Sequence, residues 1–142
     1  MAIEDMLLMT SGSNYEVHFK VVKEPVAQNG WKLAWKKCRC PYLYDPLRSL
    51  KKAIREEIIQ SIEEFNSMTP FFPHNTYIEG SITFHTNSMN KKDLDNMAKF
   101  ILDAMEGAIY QNDKHLIKLV LQKKPLTNGQ KAFTDITLAT SH

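Results

Sequence analysis

The chain has 142 residues and a formal net charge of +2, with 43% hydrophobic, 24% charged and 10% aromatic residues. These values are typical of one globular domain with a single core, and they exclude fibrous and disordered proteins. No apolar run reaches the roughly 18 residues that cross a bilayer. The N-terminus carries Glu4 and Asp5 where a signal peptide would be basic. We therefore expect a single-domain cytoplasmic protein without a membrane partner.

In the first third of the chain, apolar and polar residues first alternate, and basic residues then become frequent. Residues 1–14 are assigned to no element, and we expect them to be a poorly ordered N-terminal segment. From Tyr15 to Val21 apolar and polar residues alternate, which predicts a half-buried strand. Residues 23–41 are basic and weakly patterned, with a turn signal at residues 28–30. This segment indicates a long exposed loop or a hairpin that contacts a ligand.

A helix of about five turns follows, from Asp45 as N-cap and Pro46 as its first residue to Phe65. Its first two turns are basic and its last turns are acidic, which opposes the helix dipole at both ends. Either the fold tolerates these unfavourable charges, or the basic start of the helix binds an anion. Residues 68–75, with two prolines, then break the helix.

The second half predicts a strand over residues 77–85 and a helix opened by Asp95 with an apolar stripe from Met97 to Ala108. Two strands at 115–122 and 131–138 follow, joined as a hairpin across 125–129. The predicted fold is α+β, with a mixed four-stranded sheet and two main helices.

The charges are segregated along the chain, because basic residues dominate 20–55 and acidic residues dominate 56–110. Trp31, Trp35, Tyr42 and Tyr44 lie within the basic part. Cations and stacking rings in one segment are typical of a nucleic-acid partner. The alternative is a solvated lysine-rich face whose aromatic residues lie in the core.

The two cysteines, Cys38 and Cys40, are separated by one residue. This spacing strains a mutual disulfide and supplies at most half of a zinc site, so we expect reduced thiols. A zinc site completed by His74 or His85 is the less favoured alternative.

The chemically informative residues surround the start of the second helix. Asp93 and Asp95 are two residues apart, so both carboxylates can face one point, and Lys99 lies one helical turn later. Two close carboxylates repel unless a cation lies between them. Hard oxygen ligands favour Mg²⁺ or Mn²⁺, and Lys91 and Lys92 would attract a polyanion. The alternative is structural, with Asp95 as a helix cap paired with Lys99 and Asp93 as a solvated loop residue.

Four short stretches together resemble the RusA family of Holliday junction resolvases. They are Asp93-Leu94-Asp95-Asn96-x-x-Lys99, Asp103-Ala104-Met105, Asn112-Asp113 before a strand, and Lys123-Lys124-Pro125 after it. The resemblance is close over residues 91–138 and one of layout over 15–85. It implies a homodimer of bacterial, phage or prophage origin that binds branched DNA. With Mg²⁺ and without an organic cofactor, such a dimer nicks two opposed strands of a four-way junction.

The resemblance also implies roles for individual residues. Asp93, Asp95 and Asp113 correspond to the metal-binding acids, and Lys99 to the lysine that supports catalysis. Asn112 departs from the family, which usually has paired aspartates there. Phosphate contacts are expected from the basic side chains of the loop, of the helix start and around the acidic motif, namely Lys36, Lys37, Arg39, Arg48, Lys52, Lys91, Lys92 and Lys123.

Two other functions stay open from the sequence: a nuclease for branched or flap DNA in general, and a junction-binding protein without enzymatic activity. Because a four-way junction is two-fold symmetric, two sites and hence a closed dimer are expected. The turn Pro70-Phe71-Phe72-Pro73 and an unpaired sheet edge are the two candidate dimer surfaces.

Overall fold

The computed structural model describes residues 2–28, 32–35 and 39–142. The elements of the described residues are seven strands and two α-helices, in the order β1 (Ile3–Ser11), β2 (Asn14–Val21), β3 (Lys32–Trp35), β4 (Pro41–Tyr44), α1 (Arg48–Glu64), β5 (Ile78–His85), α2 (Leu94–Met105), β6 (Leu116–Lys124) and β7 (Phe133–Thr140). A short 3₁₀ helix, Asp113–His115, precedes β6. The α+β class and the two main helices are therefore confirmed.

Five strands form one mixed sheet in the order β1-β2-β7-β5-β6, rather than the four strands predicted. β5 and β6 are parallel, whereas the other neighbours are antiparallel. The predicted hairpin between the last two strands is wrong, because β5 lies between β6 and β7. β7 buries Thr134, Ile136 and Leu138 and takes an interior position, while β6 exposes much of its length and forms an edge.

One hydrophobic core joins the sheet to the two helices. α1 contributes Ile54, Ile58 and Ile62, and the sheet contributes large side chains such as Phe19 and Phe84. The apolar stripe predicted for the second helix is buried throughout, at Met97, Phe100, Ile101, Ala104, Met105 and Ala108. The amphipathic spacing therefore identified the buried face of α2 correctly.

Strand β1 was not predicted, because its burial does not alternate. A register shift between Glu4 and Leu7 interrupts its pairing with β2, and Asp5 has a positive φ of 56°. Such an irregularity removes the two-residue period by which a strand is recognised. The turn to β2 contains Gly12, whose φ is 61°.

Both helices begin one turn or less from the predicted residue. α1 has Leu47 as its N-cap, and Asp45 lies two residues earlier, where its Oδ1 accepts the Leu47 N–H at 2.9 Å. α2 has Asp93 as its N-cap, so Asp95 lies in the first turn and does not cap the helix. A carboxylate in the first turn is still stabilised by the helix dipole.

The state of one cysteine and the search for membrane-spanning helices complete the description of the fold. Cys40 is disulfide-bonded, so the expectation of a reduced thiol is wrong at this position, and Cys38 lies outside the described residues. Within the described parts of the chain, no helix is both long and apolar enough to cross a membrane.

Gly80 provides a test of the interior strand pairing. A Cβ at this position of β5 would lie 2.6 Å from the carbonyl oxygen of Thr137 and closer still to Leu138. Gly80→Ala should therefore lower the free energy of unfolding by about 1–3 kcal/mol, because a packed interior does not accept an added methyl group. Urea unfolding measures the change, and the exposed neighbour variant Ser81→Ala is the control. Equal stability of the two variants would contradict the β5–β7 register.

Candidate functional site

The N-terminal turn of α2 presents an acid pair and a lysine. Asp93 is the N-cap and Asp95 follows in the first turn. Lys99 lies one turn further, and all three residues are exposed. The Asp93 carboxylate accepts a weak 3.4 Å hydrogen bond from the Asn96 amide. The helix N-terminus is a region of positive potential, so the acid pair lies where a helix favours negative side chains.

The loop over residues 23–27 lies beside this turn and is held by Glu24. The Glu24 carboxylate accepts hydrogen bonds from the Thr86 hydroxyl at 2.5 Å and from Lys92 Nζ at 3.3 Å. Partial burial alone would raise the pKa of Glu24, but these hydrogen bonds and the Lys92 charge outweigh it and lower the pKa. Lys92 Nζ also donates to the Pro25 carbonyl at 2.6 Å. The loop and the turn before α2 thus form one wall of an open cleft of about 480 Å³ that includes Asp93.

Lys123, near the end of β6, binds the backbone of the turn that precedes α2. Its ammonium donates to the carbonyl oxygens of Met89 and Lys92, both at 2.8 Å. The amino groups of Lys92 and Lys123 therefore bind protein oxygens in this structure, and their predicted contacts with DNA stay predictions. The end of β6 is also fixed next to the start of α2.

Asp113 lies at the other end of α2. It begins the 3₁₀ helix before β6, and the Asn112 side chain caps this helix by accepting the Lys114 N–H at 3.0 Å. The nearby Tyr110 is buried, and its hydroxyl donates to the Leu102 carbonyl at 2.7 Å. Burial, followed by the carboxylates of Asp113, Glu106 and Asp103, raises the pKa of Tyr110. Asp113 therefore lies near the C-terminal end of α2.

One chain consequently brings Asp93, Asp95 and Lys99 together and leaves Asp113 apart. The 12 residues of α2 separate its ends by about 18 Å. Among the described residues, no group of three or more His, Cys, Asp or Glu side chains is arranged to hold a metal ion. Within one chain, Asp113 therefore does not form a set of three carboxylates with Asp93 and Asp95.

The basic start of α1 divides into an inward and an outward half. Lys51 is buried, and its ammonium pairs with Asp45, lies 3.5 Å from an Asp103 carboxylate oxygen and donates to Gln28 Oε1 at 3.0 Å. Arg55 donates to the Asp103 carbonyl at 2.6 Å, near the end of α2. These two cations therefore join α1 to neighbouring segments.

The outward half consists of Arg48 and Lys52, which are exposed, with Lys52 at 4.0 Å from Glu56. Both line a groove of about 630 Å³ between α1 and the end of α2. Sequence analysis did not identify the buried role of Lys51. The burial of Lys51 could have been predicted from its spacing. It lies three residues before Ile54 and seven before Ile58, which places it on the apolar stripe of α1.

The remaining predicted DNA contacts fall into two groups. Lys91 and Arg39 are exposed, and Arg39 has a positive φ of 61°. Lys36 and Lys37, together with Trp31 and the turn residues Asn29 and Gly30, lie outside the described residues.

The α+β fold and the acid pair at the start of α2 agree with the nuclease class that the resemblance implies. The sequence model of the family described as "Endodeoxyribonuclease RusA" matches residues 42–137, about two thirds of the chain. The chain therefore belongs to the RusA family of Holliday junction resolvases, which confirms the resemblance. No curated protein sequence matches the chain.

The Asp45–Lys51 pair predicts a pH-dependent stability. Burial would raise the pKa of Asp45, but hydrogen bonds from Lys51 and the Leu47 N–H lower it below its usual value. A lowered pKa stabilises the fold above the unfolded-state pKa of about 3.9, and this stabilisation is lost as the pH falls through the folded-state pKa. Asp45→Asn should therefore cost about 2 kcal/mol at pH 6 and clearly less at pH 3.

Urea unfolding of both proteins at the two pH values measures this difference. Glu63→Gln, which removes an exposed carboxylate at the far end of α1, is the control. A cost for Asp45→Asn that does not change with pH would show that the pair is not ionic.

Proposed function

We propose that the chain is a Mg²⁺-dependent endonuclease, with Mn²⁺ as the alternative ion, that resolves four-way DNA junctions by paired nicks as a homodimer. The observation that carries this proposal is the exposed turn of α2 with Asp93, Asp95 and Lys99. By the resemblance, these residues correspond to two metal-binding acids and the lysine that supports catalysis. All three side chains are exposed, so none of them is needed to pack the core.

The donor set fits a hard divalent cation when two chains contribute to it. Carboxylate oxygens are the ligands that Mg²⁺ and Mn²⁺ prefer. Asp93 and Asp95 supply two carboxylates from one helix turn, whereas Asp113 of the same chain lies at the far end of α2. We therefore propose that the third carboxylate is the partner subunit's Asp113.

The edge strand β6 offers a way to bring these residues together. β6 has a free edge in the sheet order, Ile117 and Val120 are exposed, and Leu119 and Leu121 are only half-buried. Pairing of two β6 edges about a two-fold axis would be antiparallel. The start of one β6, which follows Asp113, would then approach the end of the other.

The end of β6 is where Lys123 holds the turn that leads into Asp93. Antiparallel pairing would therefore carry the partner's Asp113 toward Asp93 and Asp95. The other candidate dimer surface, the turn with Phe71 and Phe72, is wrong as an exposed patch, because both rings are buried in the core of the chain itself.

The residues of the proposed site have separate roles in hydrolysis. A divalent ion bound there would activate water and stabilise charge on the scissile phosphate. Lys99 would donate hydrogen bonds to phosphoryl oxygens that gain charge in the transition state. A bond would form between phosphorus and the water oxygen, which loses a proton to the solvent. The bond to the leaving oxygen would break, and that oxygen would take up a proton from the solvent, so no nucleophilic side chain is needed.

A comparison of substrates tests the proposed activity. The protein with Mg²⁺ should nick a synthetic four-way junction at paired positions and leave the linear duplex of the same sequence uncut. Equal cutting of flaps and junctions would favour a general branched-DNA nuclease, and tight binding without cutting would favour a nonenzymatic junction-binding protein.

A mixing experiment tests the shared site. Asp93→Asn and Asp113→Asn should each be inactive alone. A mixed dimer of the two variants would combine both substitutions in one site and leave the other site intact. Mixing them should therefore restore nicking to about a quarter of the wild-type rate, since half of the dimers are mixed and each has one of two sites.

The matched control is a mixture of Asp93→Asn with Asp95→Asn. Both residues come from the same chain in the proposed site, so every site in this mixture is damaged and no activity should return. If the Asp93→Asn and Asp113→Asn mixture is also inactive although native mass spectrometry, with one variant isotopically labelled, confirms exchange of subunits, the shared site is wrong.

Salt dependence tests the outward cations of α1. Replacement of Arg48 and Lys52 by Glu should weaken junction binding and reduce the slope of log K against log salt by about 0.9 for each lost phosphate contact. Lys131→Glu, an exposed change in the segment before β7, is the control. An unchanged slope would assign Arg48 and Lys52 to a solvated face.

A further inference from the structure

The strands β3 and β4 form a two-stranded ribbon, here called the ribbon, that is separate from the five-stranded sheet. Its register pairs Leu33 with Leu43 and Trp35 with Pro41. Opposed residues and residues two apart share a face, so these four side chains form one apolar face. The exposed fractions are 58% for Leu33, 65% for Trp35 and 66% for Leu43, and Pro41 is also exposed.

An exposed apolar face on a ribbon of this size requires an occupant. A two-stranded hairpin is marginally stable in water on its own, and clustered exposed apolar side chains mark an interaction surface. The ribbon has no third strand among the described residues.

The charge around the ribbon indicates the occupant. The sequence from Lys32 to Tyr44 contains four basic residues and no acidic residue. Of these, Lys32 and Arg39 are described and exposed. A cationic segment with a large apolar and aromatic face is complementary to a nucleic acid whose bases are accessible, since phosphates meet the cations and base faces meet the rings.

The base of the ribbon lies beside the proposed catalytic turn. Gln28, before the ribbon, donates its backbone N–H to the Asn96 carbonyl in the first turn of α2 at 3.0 Å. Lys51 binds both Gln28 and Asp45, which lie on the two sides of the ribbon. The base of the ribbon is therefore held close to the first turn of α2.

We propose that the apolar face of the ribbon, formed by Leu33, Trp35, Pro41 and Leu43, packs against base pairs that it unstacks at the branch point of the junction. This inference rests on the proposed function and extends it to the source of junction selectivity. In a linear duplex the base faces cover one another, so an apolar surface finds no base face to cover. At a branch point strands leave one helix for another, so apolar side chains can enter between the base pairs there and hold them apart.

Fluorescence of 2-aminopurine placed at the branch point tests the proposal. Binding of the wild-type protein without a divalent metal should increase the fluorescence severalfold, because unstacking relieves quenching. Trp35→Ala and the double variant Leu33→Ser/Leu43→Ser should lose most of this increase.

Affinity measurements complete the test. Both ribbon variants should bind the junction about tenfold more weakly and the linear duplex less than twofold more weakly. Leu7→Ser, on β1, is the matched control, because Leu7 is exposed to 59% and lies outside the ribbon. It should behave as the wild type. Circular dichroism checks that each variant is folded, which is expected because the substituted side chains are exposed.

Three results would overturn the proposal. One is a wild-type protein that binds the junction without a fluorescence change. Another is an equal loss of affinity for junction and duplex, which would make the ribbon a general DNA contact. The third is a ribbon variant that sediments as a monomer while the wild type is a dimer, which would make a second copy of the chain the occupant. If the wild type cuts junctions but the fluorescence stays flat, the ribbon proposal fails and the proposed function stands.

Discussion

The ammonium of Lys51 connects the parts of the molecule that the proposed function needs. It is buried, pairs with Asp45 and Asp103, and donates to Gln28. These partners lie on both sides of the ribbon and near the end of α2. A buried cation without partners is costly, so the segments that supply its acceptors are held together. The contact therefore fixes the ribbon base relative to the two helices, and the Gln28 N–H to Asn96 carbonyl bond places that base beside the acid pair.

The length of α2 is the second constraint, because it separates the carboxylates that we propose form one metal site. Asp93 and Asp95 share the start of the helix and Asp113 follows its end. Both ends are held in place, by Lys123 at the start and by the Tyr110 hydroxyl near the end. Folded elements of this kind do not bend to close a gap of about 18 Å. The proposed dimer is thus supported by two arguments. One is the two-fold symmetry of the substrate, and the other is that a second chain would complete a set of metal ligands that lie apart within one chain.

The cations of the chain have two kinds of role that composition alone does not distinguish. Lys51, Arg55, Lys92 and Lys123 bind acceptors of the protein itself, whereas Arg48, Lys52, Lys91 and Lys99 are exposed. The first group positions loops and helices, and the second is available to phosphates. The ribbon presents an exposed apolar surface in addition to these cations. In our proposals, affinity for a polyanion and recognition of the branch point depend on different side chains, which allows the two to be measured separately.

Local sequence determined the features that depend on neighbours along the chain. The alternation over residues 15–21, the stripe from Met97 to Ala108 and the motif from Asp93 to Lys99 are periodic or contiguous, so they predicted β2, α2 and the acid pair, and the motif identified the family. The tertiary structure decided the position of β5 between β6 and β7, the strand β1, the burial of Lys51 and of Phe71 and Phe72, and the separation of Asp113 from Asp93. The physical reason is that periodicity specifies which face of an element is buried, whereas strand order, partners of a buried charge and distances between helix ends depend on contacts between residues far apart in sequence.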